Sequence, residues 1–353
     1  MENKQRKNSL INKFSYASGD IYGGGAFMIF SLLFMNFLVL VEGLPVVATT
    51  IIIFIGRLWD AVTDSIMGRI SDVTRSKFGR RRIYFLIGIV PIFLSFFMLF
   101  YSFNIQNETA KIVYYTISYM FFGTVFSIVM VPYNAILSDM TSDYNERTSF
   151  TTIRMIFSGG AALICAVIPS IIIKTFGADT IGSAQIPGYI VMGLIFGAFF
   201  GLCWFLVFLG TWEKKDLPKP EKIPLKSWLT VFKNKAYKNF LGIFLSFQIA
   251  VDLVLALFIF YIDIVVLQYQ NYELIVGTLL VCSMLLVAAQ GRIAEKKGKA
   301  FPLYIGIPVW MVSSLAFIWL NPGVNVIILC VFHQYHKCQL TSTMWRAGLR
   351  MYR

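Results

Sequence analysis

IIIFIGRLWDAVTDSIMG, residues 51–68, begins as an apolar run fit for a membrane and then admits Arg57, Asp60 and Asp64. A charged side chain at mid-bilayer costs roughly 2.5–3.5 kcal/mol on insertion scales, so it faces protein or water, not lipid. At about 100° per residue the three charges fall within about 60° of arc, a single stripe on one helix face. Arg57 and Asp60, three apart, are within reach of one another. One such pair meets one structural need and leaves the second carboxylate over. Two carboxylates four residues apart can supply oxygen ligands to a hard cation, and a shared proton is the other way to relieve their repulsion. The plain alternative is an ion-pair network that braces the helices.

The rest of the chain makes the lipid setting explicit. Of 353 residues, 57% are hydrophobic and 14% charged, with a mean hydropathy of +0.70. Soluble domains carry about a quarter of their residues as charges. The apolar blocks reach the roughly 20 residues needed to span a bilayer. Spans are expected near 21–41, 46–66, 83–103, 112–137, 153–173 and 188–211, then near 240–262, 274–290 and 301–320. A tenth begins at Val324 and fails after Phe332. Pro91, Pro132, Pro169 and Pro308 inside these runs are tolerated, since neighbouring helices re-satisfy the backbone.

The net charge of +13 suggests a nucleic-acid binder until its Lys and Arg are mapped. With a cytoplasmic N-terminus, the inner segments 1–18, 68–82, 138–152, 212–239, 291–300 and 333–353 hold 27 of the 31. Lys111 and Lys174 fall outside, and Arg57 and Arg154 fall within spans. This asymmetry sets orientation and directs the basic charge to the lipid bilayer, excluding nucleic acid. Cys165, Cys203, Cys282 and Cys330 sit in apolar runs with no metal-type spacing. The sequon Asn107-Glu108-Thr109 is within the reach of chance.

Two inner loops resemble each other, GRISDVTRSKFGRRR from Gly68 and GRIAEKKGK from Gly291. They follow the second and eighth spans, six apart, which implies two six-helix halves. Residues 1–211 form the N-terminal half, 212–239 a Lys- and Pro-rich linker, and 240–332 an incomplete C-terminal half. In the loops, Asp72 and Glu295 can each pair with nearby Arg or Lys, and with Arg57, Arg75 and Arg80 they are candidates for ion pairs that latch and release the halves. Further polar residues lie in apolar surroundings: Asp20 ahead of IYGGGAF, Arg154, Asp252 and Gln248.

GRLWDAVTDSIMGRISDVTRSKFGRRR and VPYNAILSDMTSDYNERTSFTTIRMIFS (131–158) strongly resemble the glycoside–pentoside–hexuronide:cation symporters, which include the melibiose carriers. The resemblance implies an all-α polytopic membrane protein of the major facilitator fold, not an enzyme. It implies symport of a sugar, glycoside, pentoside or hexuronide with Na+, Li+ or H+, in a monomer, in a bacterial inner membrane. It also implies that Asp60, Asp64 and Ser127 bind the cation and that Asp20 and Arg154 bind sugar hydroxyls. Such charge-assisted, directional bonds suit adjacent hydroxyls. Two positions depart from the melibiose carriers: Met130 replaces a second sugar-binding Asp, and Asn134 replaces a stacking Trp.

The family has twelve helices, whereas the tail HQYHKCQLTSTMWRAGLRMYR (333–353) is polar and aperiodic, which suggests a frameshift or premature end near residue 332. His333 and His336 are then noise. A non-transporting product is one alternative, and a lysolipid symporter of the same superfamily another. A membrane phosphotransferase is disfavoured, because no second acidic motif accompanies Asp60 and Asp64.

Overall fold

Short polar caps decide where the long helices begin. Ser9 accepts the Asn12 backbone N–H at 3.4 Å and opens α1, Leu10–Ala17. Ser18 joins it to α2, Gly19–Ile29, with its hydroxyl donating to the carbonyls of Ser15 (2.7 Å) and Cys203 (3.2 Å). The same stretch continues to Val41 through two π-helical turns, Phe30–Phe34 and Phe37–Val41. Gly43, at φ 71°, turns the chain into α3, Val46–Val73. Then come α4, Arg82–Phe100, and α5, Glu108–Met140, whose N-terminus is capped by the Asn107 carboxamide oxygen on the Ala110 N–H at 3.3 Å. Asp143 caps α6, Tyr144–Phe176, through the Glu146 N–H at 3.0 Å, and α7 runs Ile186–Gly210. Capping oxygens of this kind satisfy backbone donors that the first turn leaves unpaired.

The computed structural model describes residues 9–101, 103–141, 143–177 and 183–213, with Asn234, Lys235, residues 237–239, Leu241, Gly242, Leu245 and Ser246. The chain divides into two units, Met1–Pro220 and Glu221–Arg353. Within the first, six helical stretches are long and apolar enough to cross a membrane: Leu10–Val41, Val46–Val73, Arg82–Phe100, Glu108–Met140, Glu146–Phe176 and Ser183–Gly210. They answer to the first six expected spans. The seventh span beyond Ser246, the eighth and ninth, the partial tenth, Asp252, Gln248, Glu295, His333 and His336 lie outside the described residues.

Two starts differ from expectation, and for the same reason. The first and fifth spans were expected from residues 21 and 153, but the helices begin at Leu10 and Tyr144. Their first turns carry Asn12, Lys13, Ser15 and Glu146, Arg147, Thr148, which hydropathy discounts although a helix accommodates them. Arg154 therefore stands ten residues into α6, roughly 15 Å from its start at 1.5 Å per residue, and Asp20, in the first turn of α2, stands ten residues into the stretch Leu10–Val41 that α1 opens. Neither lies at the end of its membrane-competent stretch.

Helix α3 packs on α5, α4 on α5 and α7, and α2 on α6, while α1 lies against α6 and α7. Aromatic side chains fill the spaces between them. Tyr22 meets Phe200 edge-on at 5.3 Å and Trp204 at 6.0 Å, and Phe30 stacks on Tyr119 at 4.4 Å. Edge-on and offset ring pairs of this kind add about 0.5–1.5 kcal/mol each beyond their buried area.

Candidate functional site

The carboxylates of the opening stretch face α5. Helices α3 and α5 run side by side in constant register, so that Gly56 lies against Tyr119, Asp60 against Gly123 and Asp64 against Ser127, one turn apart. The Ser127 hydroxyl donates to Asp64 Oδ1 at 2.6 Å. Thr63 Oγ1 lies 3.0 Å from Ser127 Oγ and 3.1 Å from each of the Trp59 and Asp60 carbonyls, to which its hydroxyl donates. Asp60 is half-buried and turned toward Gly123, so close that a Cβ there would overlap Oδ1. That oxygen is buried and has no hydrogen-bond partner among the described residues. On the neighbouring faces Trp59 Nε1 donates to Thr124 Oγ1 at 2.8 Å and pins the two helices together.

Arg57 does not pair with Asp60. Its guanidinium lies 4.7 Å from the centre of the Phe27 ring on α2. The reason is directional: Asp60 is drawn into the gap that Gly123 leaves in α5, while Arg57, three residues earlier, reaches α2 instead. Neither aspartate therefore has an ion-pair partner among the described residues. Two carboxylates and two hydroxyls, Asp60, Asp64, Thr63 and Ser127, form an all-oxygen set suited to a hard cation. Among the described residues no group of three or more His, Cys, Asp or Glu could hold a metal ion.

A second constellation joins α2, α5 and α6. Asp20 (5% exposed) and Arg154 (9% exposed) form a two-point pair. Nε donates to Oδ2 at 2.5 Å and Nη2 to Oδ1 at 3.1 Å. Arg154 Nη2 also donates to Asn134 Oδ1 at 2.6 Å. Its guanidinium plane lies 4.6 Å from the Tyr133 ring centre, and Tyr133 in turn donates to the Tyr16 carbonyl at 2.8 Å. Close helix approach makes the pair reachable. A Cβ at Gly24 would press on Ser158 of α6, and one at Gly23 on both Met130 and Asp20. Asp20, Asn134 and Arg154, singled out separately in the sequence, are thus brought together. Met130, at the position of the missing second carboxylate, lies beside Asp20.

At the bundle end that carries Asp72, both Asp72 and Arg80 enter ion pairs, whereas Arg75 does not. Asp72 pairs with Arg81 at 2.7 Å. Arg81 also pairs with Asp139, which takes Arg80 at 3.1 Å. Arg75 is exposed and has no ion pair among the described residues. It sits in the extended segment after α3, whereas Arg80 and Arg81 are carried back over the helix ends. Gly79, at φ 116°, makes that reversal, and Glu213 fills the space where a side chain would be. The Glu213 carboxylate accepts the N–H groups of Arg80, Arg81 and Arg82 at 2.6, 2.6 and 2.9 Å. It thereby serves the free donors that open α4. Arg81, Asp139 and Glu213 went unrecognised in the sequence. For Asp139 a signal existed, an acidic residue closing the motif VPYNAILSDM.

Comparison with known proteins accounts for both blocks. A Bacillus subtilis protein described as an uncharacterized symporter, YnaJ, is 30% identical over 218 residues, 62% of this chain and 46% of that protein. The isoprimeverose transporter of Lactiplantibacillus pentosus is 27% identical over 63% of this chain and 46% of its own length. The chain therefore spans about half the length of these curated relatives. In fold it is similar to the inward-open xylose transporter XylE from E. coli, with a TM-score of 0.60 and 15% identity over 93% of this chain and 79% of that one. These neighbours are transporters, not enzymes, and the fold they share is the all-α major facilitator fold. The family described as MFS/sugar transport protein matches residues 15–344, so it takes in both blocks and reaches into the polar tail. On that match, this integral membrane chain belongs to the MFS/sugar transport protein family.

Proposed function

We propose that the protein is a secondary transporter that couples entry of a sugar or glycoside to the downhill flow of Na+, Li+ or H+. The observation that carries this reading is that one six-helix unit holds two separate charged constellations, one buried among α2, α5 and α6 and one on the α3–α5 interface, where Asp60 is half-buried and Asp64 exposed. The Asp60–Asp64 pair, without a cationic partner among the described residues and with hydroxyls beside Asp64, suits the cation. Asp20, Asn134 and Arg154 suit a hydroxylated solute, since a guanidinium and a carboxamide hold ring hydroxyls in fixed directions. The relative named an isoprimeverose transporter and the family description favour a sugar as cargo. Alternating access in this fold rocks the two halves about a midplane site. On this reading the Asp72–Arg81–Asp139–Arg80 network belongs to the latch that holds one state, and the protein lies in a bacterial inner membrane with its N-terminus in the cytoplasm.

The test is uptake of radiolabelled glycosides, pentosides and hexuronides by proteoliposomes under an imposed Na+ or proton gradient. Asp60→Asn and Asp64→Asn abolish cation-stimulated uptake while the protein still inserts and binds detergent as a folded species. Unchanged stimulation in both variants would remove the cation assignment. Failure of every sugar in a preparation that still binds cation would point to another organic solute.

A further inference from the structure

Two buried polar atoms on the α3–α5 interface lack a hydrogen-bond partner among the described residues, Asp60 Oδ1 and the Tyr119 hydroxyl. Tyr119 is 1% exposed, and its ring is clamped between Phe30, stacked at 4.4 Å, and Gly56, where a Cβ would overlap it. The hydroxyl cannot swing out to solvent without breaking both contacts. A phenylalanine would fill the same space without stranding an oxygen, and a stranded hydroxyl costs about 1–3 kcal/mol. Buried polar groups in folded proteins are almost always satisfied, so an orphan calls for a missing occupant.

The two orphans share one neighbourhood. Gly56 and Asp60 are one turn apart on α3, and Tyr119 and Gly123, which oppose them, are one turn apart on α5. The Tyr119 hydroxyl also lies within the electrostatic reach of both Arg57 and Asp60. Both glycines are what let the tyrosine ring and the carboxylate enter the interface at all. One rung further along stand Asp64, Ser127 and Thr63.

Resting on the cation-site reading above, we propose that Tyr119 is a positioning residue for the coupling cation. Its hydroxyl donates to a water that also binds Asp60 Oδ1, and this water arrives and leaves with the cation. The tyrosine thereby fixes the carboxylate rotamer from the side opposite Ser127. It is not itself a ligand. Outer partners of this type typically contribute 10–100-fold to metal affinity.

The experiment measures Na+-dependent thermal stabilisation of the purified 353-residue chain in detergent, with LiCl and choline chloride as comparison salts. Tyr119→Phe raises the half-saturating Na+ concentration about tenfold and leaves the melting temperature in choline chloride unchanged or slightly higher. Tyr22→Phe removes an equally buried, equally orphaned hydroxyl elsewhere in the bundle and leaves Na+ binding as in the parent chain. An unchanged Na+ midpoint in Tyr119→Phe overturns the proposal. So does a large fall of its melting temperature in choline chloride, which would mean a permanent protein partner. Asp60→Asn separates the two levels of the argument. If it too leaves the Na+ midpoint unmoved, the cation site itself is wrong. If it alone abolishes the response, only the role of Tyr119 is.

Discussion

Replacing Arg154 with methionine strands a buried carboxylate, and the size of the effect follows from the contacts it loses. Among the described residues both oxygens of Asp20 are held by Arg154 alone, and Asp20 is 5% exposed. Methionine keeps much of the stem's volume, so packing changes little and the charge imbalance dominates. Breaking one side of a buried ion pair costs about 3–5 kcal/mol, several times an exposed pair. Adding Asp20→Asn removes the stranded charge and leaves a neutral amide, whose unmet hydrogen bonds cost about 1–3 kcal/mol. The double variant is therefore more stable than Arg154→Met alone by about 2 kcal/mol, although it carries one more change. Equilibrium unfolding in mixed micelles, followed by intrinsic fluorescence, measures the three variants against the parent. Equal stability of single and double variants, or a loss under about 1 kcal/mol for Arg154→Met, would show that Asp20 does not depend on this pair.

Two further outcomes follow from the geometry. Gly123→Ala forces the Asp60 carboxylate out of its gap; because the colliding atom ends a flexible side chain, stability falls by less than about 1 kcal/mol while Na+-dependent stabilisation is lost. At the Asp72 end, Asp139→Asn leaves the guanidinium groups of Arg80 and Arg81 short of a counter-charge and costs about 3 kcal/mol, whereas Arg75→Ala stays within about 0.5 kcal/mol, as micelle unfolding of both variants would report.

How much of this could be read beforehand depended on the kind of information involved. That Arg57, Asp60 and Asp64 lie within a helix apolar enough to cross a membrane was legible, because hydropathy records such an interrupted run directly. The identity of each charge's partner was not. Arg57 and Asp60 share a helix face to within about 60°, yet one reaches α2 and the other α5, because the choice is made by Gly123 and Phe27 on helices far away in sequence. The burial of Asp20 and Arg154 was underestimated for a different reason, since polar first turns hide the true helix starts from any hydropathy window. Glu213 could not be anticipated at all. Its role depends on the backbone of Gly79 and Arg80 folding back to meet it, and nothing in WEKK announces that.

The Arg57–Phe27 contact carries one more consequence. Phe27 and Asp20 lie on the same helix, α2, so the helix that bears Asp60 and Asp64 leans on the helix that bears Asp20 through a charge resting on a ring. A hydrogen bond fixes distance and angle and breaks if either changes. A guanidinium over an aromatic face keeps most of its attraction while it slides across several ångströms of that face. The two helices are joined here by a bearing and not by a bolt, so either can shift along its axis while the other stays loaded.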